Sequence, residues 1–184
     1  MNSPAGSVAV SEPAHRRLFL ALWPEAPVRA RLDASFAATA AGAGGRAVVA
    51  ANLHVTLEFL GAVPEHRVAE LEMLGARTRL PDGDLVLDTL EWWPRPALLV
   101  AGSSAPSQPL IDLQGQLRRQ LAMQGFRVDA RAFRPHLTLA RRVAAVPDIA
   151  AVSPVRWPIR ELALVESLPF AGGSRYAPLA RWTR

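Results

Sequence analysis

The sequence predicts an α+β fold of two similar lobes carried by one domain. Three observations lead there. A strand–helix–strand pattern occurs twice, each occurrence closes on a strand-like segment spelled His-x-Thr-Leu, and no low-complexity linker parts the halves. A chain of 184 residues is long enough to bury a continuous core. Residues 16–184 are therefore read as a single two-lobed domain behind a disordered tail over 1–15.

RRLFLAL (16–22) reads as the first strand, and Trp23-Pro24 ends it. Pro24-Glu25 opens a helix in which Val28, Leu32 and Phe36 fall at the spacing of one buried face. AGAGG (41–45) is a loop; RAVVA and LHVTLEFLG follow as strand-like material closed by Gly61. Pro64 suits the first turn of a second helix, where a missing N–H costs nothing, and Val68, Leu71 and Leu74 mark its buried side. After a Pro81-Asp82-Gly83 turn, DLVLDTLEWW (84–93) and PALLVAG (96–102) form a strand pair across Trp93-Pro94-Arg95-Pro96. SSAPSQP (103–109) supplies a loop and a Ser cap for a third helix, with Leu110, Leu113, Leu117 and Leu121 on one side. RPHLTLAR, VRWPIRELALVESL (155–168) and SRYAPLARWT (174–183) complete the strands. The Pro in the second of these argues for an edge or a bulge.

Composition narrows the chemistry. The chain contains no Cys, which excludes structural disulfides and thiolate metal sites. Its apolar runs are far shorter than the roughly 20 residues of a membrane helix, and MNSPAGSVAVSEPAH lacks the basic and apolar regions of a signal peptide. A cytoplasmic protein without a membrane partner is the expectation. The net charge is +5 and every basic residue is Arg. From Arg118 to Arg142 seven Arg accompany one acid, Asp129, and the segment ends on the second His-x-Thr. Such a focused field concentrates anionic ligands such as phosphates, although a solvated basic face is the plainer alternative.

Side chains alternate along a strand. His54, Thr56 and Glu58 are expected on one face, with Val55, Leu57 and Phe59 on the other; His136 and Thr138 are expected to share a face in the same way. Among only 4 His, a matching pair of such segments arises by accident roughly once in 10⁴ chains, which favours an internal repeat. Two imidazoles of ordinary pKa near 6.5 across a bound phosphodiester divide acid and base work, with the Thr hydroxyls on the non-bridging oxygens. Two His with only Glu58 nearby make a thin metal set, so neither metal nor cofactor is expected. No G-x-S-x-G elbow, P-loop or dinucleotide fingerprint is present.

HVTL at 54–57 and HLTL at 136–139 resemble the paired motifs of the two-histidine phosphoesterase superfamily, within it the RNA 2′,3′-cyclic phosphodiesterase or 2′-5′ RNA ligase branch. RLFLAL, NLHVTLEFLG, the mid-chain Trp, FRPHLTLAR and VESLPFAGGSRYAPLARW carry the likeness over almost the whole chain from Arg16. The resemblance implies a bilobal fold of two pseudo-symmetric antiparallel-sheet lobes, with outer helices and a basic central cleft. It implies metal-free hydrolysis of RNA 2′,3′-cyclic phosphate ends to 2′-phosphomonoesters; a monomer is a separate expectation. His54 would be the proton donor to the leaving 3′ oxygen, His136 the acceptor that activates water, and Thr56 and Thr138 the phosphate-binding pair. Arg134 has the parity of His136 and a choice between phosphate and surface roles. Arg141 falls on the opposite face unless the strand ends or bulges before it. Phe59 stacks on a base or, as parity favours, joins the core; Trp93 and Tyr176 share that ambiguity. Reversible 2′-5′ ligation and a non-catalytic RNA-binding module are the alternatives.

Overall fold

In the computed structural model, which describes residues 14–145, 152–171 and 173–184, two four-stranded antiparallel sheets each carry one His-x-Thr segment. The chain opens with β1 (His15–Leu22), whose run Leu18 to Leu22 is buried. It therefore begins one residue inside the segment assigned to the tail, and residues 1–13 of that segment lie outside the described residues. Next, α1 (Ala26–Gly42) buries Val28, Leu32, Phe36 and Ala40 along one stripe. It runs past the expected stop, because Ala and Gly at 41–42 carry no side chain that opposes another turn. After β2 (Arg46–Ala47), the first motif leads into β3 (Val55–Pro64). Pro64 thus ends a strand and does not open the helix, which is α2 (Val68–Arg77).

DLVLDTLEWW divides at Asp88 into β4 (Asp84–Leu87) and β5 (Thr89–Trp93). The Asp88 carboxylate accepts the Ser104 backbone N–H at 2.7 Å and its hydroxyl at 2.5 Å, which turns the chain there. Then come β6 (Leu98–Gly102) and α3 (Gln108–Met123), whose four periodic Leu are all buried. Ser107 occupies the N-cap position without a side-chain cap bond. The second motif is β7 (His136–Arg141). The segment 155–168 also divides, into β8 (Val155–Pro158) and β9 (Glu161–Phe170), before the last strand β10 (Gly173–Thr183).

One sheet has the order β10-β9-β1-β3 and the other β2-β7-β6-β5, with β4 and β8 forming a separate ribbon. The helices cross over. α1, which follows β1, packs against β7 and β2 of the other sheet, while α3, which follows β6, packs against β3. Each helix thus backs the motif strand of the opposite half, and β3 and β7 are themselves neighbours. Leu32, Phe36, Leu113, Leu117, Leu137 and Leu139 join one core. Burying each such side chain is worth about 1.5–3 kcal/mol, so the core holds the two motif strands in a fixed relation.

The ladders contain the decisive irregularity. Along β1 the partners run from Leu20 opposite Glu58 to Ala21 opposite Thr56, leaving Leu57 unpaired. Along β6 they run from Leu99 opposite Ala140 to Val100 opposite Thr138, leaving Leu139 unpaired. The residue after Thr is therefore the extra residue of a β-bulge in both motifs. A bulge interrupts strict alternation, so residues beyond it change faces. Glu58 is 2% exposed and turned toward α3, and Phe59 is 40% exposed on the side of Thr56. This corrects the alternation expected from sequence, which put Phe59 in the core and Glu58 beside His54.

Candidate active site between the motif strands

His54 is the last residue before β3. Its Nδ1 lies 2.7 Å from the backbone carbonyl of Asn52 and its Nε2 lies 3.1 Å from Thr56 Oγ1. A carbonyl oxygen only accepts, so the Nδ1 nitrogen carries the proton. In the neutral ring Nε2 is then the acceptor, and the Thr56 hydroxyl donates to it. Asn52 is itself tied to β10: its Nδ2 donates to the Ser174 carbonyl at 3.0 Å. Aromatic rings wall the imidazole. Trp23 stacks on it with centroids 5.7 Å apart, Phe19 lies at 4.9 Å, and Tyr176 meets it edge-on at 5.0 Å. Burial among these rings lowers His54 to a pKa of about 4; the positive charges of Arg141 and His136 add to this, and the Asn52 carbonyl opposes it.

His136 repeats the arrangement in the other sheet. Its Nδ1 lies 2.7 Å from the carbonyl of Arg134, again two residues back, which fixes the same tautomer. Trp93 lies against its ring with centroids 4.5 Å apart. Burial pushes His136 below its ordinary value; the Arg134 carbonyl bond and the Glu91 carboxylate oppose this, and the charges of Arg134 and Arg141 reinforce it. Thr138 is half-buried and shares the His136 face, opposite Val100 of β6.

Two cavities meet at Thr56 and Phe59. One of about 370 Å³ is lined by His54, Arg17, Arg141, Ser174 and Tyr176. The other, about 640 Å³, is lined by His136, Trp93, Arg131, Phe133 and Arg134. Arg141 reaches the first cavity because the bulge at Leu139 precedes it, and its Nη2 lies 3.4 Å from Tyr176 Oη. Arg134 is 63% exposed at its side chain, where it pairs with Glu91 at 2.7 Å and lies 5.1 Å over Trp93. Phe59 has the Arg17 guanidinium 4.7 Å above its ring. The two sheets thus bring His54, Thr56, Phe59, Arg141 and Tyr176 to one cavity, and His136, Trp93 and Arg134 to the adjoining one.

Glu58 is occupied elsewhere, accepting from Gln114, Arg118 and the Asp129 N–H. Among the described residues no group of three His, Asp or Glu stands at metal-holding distances. Sequence reasoning missed Asn52, Trp23, Phe19, Arg17 and Glu91. The key contacts of Asn52 and Arg134 are made by main-chain carbonyls, which leave no side-chain signature. The bulges had one mark in the sequence, the Leu shared by both motifs after Thr.

A family model of the 2′-5′ RNA ligase superfamily matches residues 20–168. The RNA 2′,3′-cyclic phosphodiesterase of Escherichia coli strain K12 is 35% identical over 175 residues, covering 94% of this chain and 98% of that protein. The crystal structure of E. coli LigT complexed with 3′-AMP is similar with a TM-score of 0.82 and 34% identity, covering 92% of this chain and 98% of that one. TT0787 of Thermus thermophilus follows with a TM-score of 0.75 and 28% identity, covering 91% and 97%. Two crossed-over lobes, a matched pair of His-x-Thr strands and likeness along almost the full chain lead to one assignment: the chain belongs to the 2′-5′ RNA ligase superfamily.

Proposed function

We propose that the protein hydrolyses RNA 2′,3′-cyclic phosphate ends to 2′-phosphomonoesters, with His54 and His136 as a general acid–base pair. The observation that carries this reading is the matched locking of the two rings. Each Nδ1–H is bonded to the carbonyl two residues back, so that neither Nε2 has a main-chain partner and that of His54 meets only the Thr56 hydroxyl. His136 Nε2 takes a proton from the attacking water, the P–O3′ bond breaks, and His54 protonates the departing 3′ oxygen. The 2′ oxygen keeps the phosphate. Protonation of His54 Nε2 releases the Thr56 hydroxyl that donated to it; Thr56 and Thr138 then donate to the non-bridging oxygens, and Arg141 offsets charge that builds there.

The donor and acceptor assignment follows the family resemblance, and the electrostatics add a condition to it. In the free protein His54 is neutral near pH 7, so it must gain its proton together with the anionic substrate. A phosphodiester beside the ring supplies the negative charge that favours imidazolium. The names of the relatives support the substrate class, and a cytoplasmic monomer that needs no metal is part of this proposal. The second reading, reversible 2′-5′ joining of RNA ends, is favoured by the room on both sides of Thr56.

The test is to supply a 2′,3′-cyclic nucleotide with EDTA present and identify the monophosphate formed. The expected product is the 2′-monophosphate, and His54→Ala or His136→Ala each lower the rate about 10²–10⁴-fold. Full activity in His136→Ala would sink the two-histidine mechanism. A joined product from cyclic-phosphate and 5′-hydroxyl ends would establish the second reading.

A further inference from the structure

Glu58 is a buried carboxylate that the proposed chemistry does not use. It lies on β3 just past the bulge at Leu57 and is 2% exposed. Its Oε1 accepts the Asp129 backbone N–H at 2.7 Å, and its Oε2 accepts from Gln114 Nε2 at 3.0 Å and Arg118 Nε at 3.2 Å. Arg118 then extends the network by donating through Nη1 to the Arg131 carbonyl at 2.9 Å. The Asp129 carboxylate accepts the Arg131 N–H at 3.0 Å and also pairs with its guanidinium.

These bonds converge on residues 127–135, which have no regular secondary structure and connect α3 to His136. The same residues build a wall of the larger cavity, through Arg131, Phe133 and Arg134. One carboxylate therefore links three parts of the fold: the strand that follows His54, the helix behind it, and the segment that delivers His136. A buried ion pair adds little net stability over apolar side chains of the same volume, whereas directional acceptors fix geometry. An irregular segment otherwise has many arrangements open to it.

We propose that Glu58 is a positioning residue, anchoring 127–135 to the His54 strand and so fixing where His136 stands across the phosphate from His54. Its catalytic half rests on the hydrolytic function proposed above; its structural half does not. A displacement of about 1 Å between reacting groups costs about 10²-fold in rate, so the anchor acts on turnover more than on binding.

The experiment compares wild type with Glu58→Gln, whose single acceptor oxygen leaves a donor-only NH₂ against either the Gln114–Arg118 pair or the Asp129 N–H. With a 2′,3′-cyclic mononucleotide, kcat falls about 10- to 100-fold while KM moves less than about threefold. In parallel, imidazole ¹⁵N NMR titrates both rings. His136 moves up toward 6.5 as its wall loosens and admits water. His54, walled by Trp23, Phe19 and Tyr176, stays at about 4. If Glu58→Gln does not fold, Arg118→Gln makes the same comparison, since it removes the Arg131 carbonyl bond and leaves the Asp129 one. Unchanged kcat with an unchanged His136 titration overturns the proposal, as does an equal shift of both rings or a loss confined to KM. A selective His136 shift in a protein whose wild type hydrolyses nothing keeps the positioning role and refutes the proposed reaction instead.

Discussion

Protonating His54 costs the folded protein stability, and the structure sets the size of that cost. In the unfolded chain the imidazole titrates near 6.5; among Trp23, Phe19 and Tyr176 it titrates at about 4. The folded value is the lower one, so between these two pH values the unfolded chain holds the extra proton. Stability contributed by neutral His54 is therefore fully present above pH 6.5 and is lost as pH falls toward 4, where the loss levels off. The full loss amounts to roughly 3 kcal/mol, a large part of the 5–15 kcal/mol typical of a domain. The perturbation is His54→Phe, which keeps an aromatic ring against Trp23 and removes the titration. Urea unfolding at pH 7 and pH 4 gives a stability drop for each protein, and the carboxylates common to both cancel in the comparison. The drop should be roughly 3 kcal/mol smaller in the variant. Equal drops, within about 0.5 kcal/mol, would refute the claim that burial holds this ring neutral.

Three further outcomes follow from the same geometry. Arg141→Gln removes a positive charge that depresses both rings, so both imidazole titrations shift upward by NMR while hydrolysis slows. Trp23→Ala opens the stack on His54; unfolding assays should show a loss of about 3–5 kcal/mol, and His54 should titrate closer to 6.5. Binding of a phosphodiester that does not itself titrate should take up protons near pH 6. Calorimetry in buffers of different ionisation enthalpy measures that uptake, and it should be clearly smaller in His54→Ala. Proton release in its place would contradict the proposed donor.

The larger organisation was legible because it is written in side chains. The stripe Val28, Leu32, Phe36 specified α1, the four Leu from 110 to 121 specified α3, and the repeated spelling placed one His on each motif strand. What the sequence did not disclose depends on backbone. Alternation is a rule for unbroken strands, and the extra residues at Leu57 and Leu139 break it in both motifs. Phe59, Glu58 and Arg141 were therefore misplaced or undecided for one common reason. The crossing of α1 and α3 onto the opposite sheets was equally invisible, since a periodic apolar face names no partner.

The bulges also explain how two short motifs assemble a cleft with charge on its rim. Without the extra residue at Leu139, alternation would turn Arg141 away from the His136 face; with it, Arg141 lines the cavity of His54 and its field reaches both rings. Without the extra residue at Leu57, Glu58 would point into the cleft beside His54 and partly cancel that field. The bulge instead delivers Glu58 to Gln114 and Arg118 and leaves Phe59 at the opening. A pair of imidazoles held neutral, a guanidinium in the His54 cavity whose charge reaches both rings, and no carboxylate beside His54 make a site whose unmet charge is positive. The ligand that meets it is an anion, and the proton His54 lacks at neutral pH is the one such an anion brings within reach.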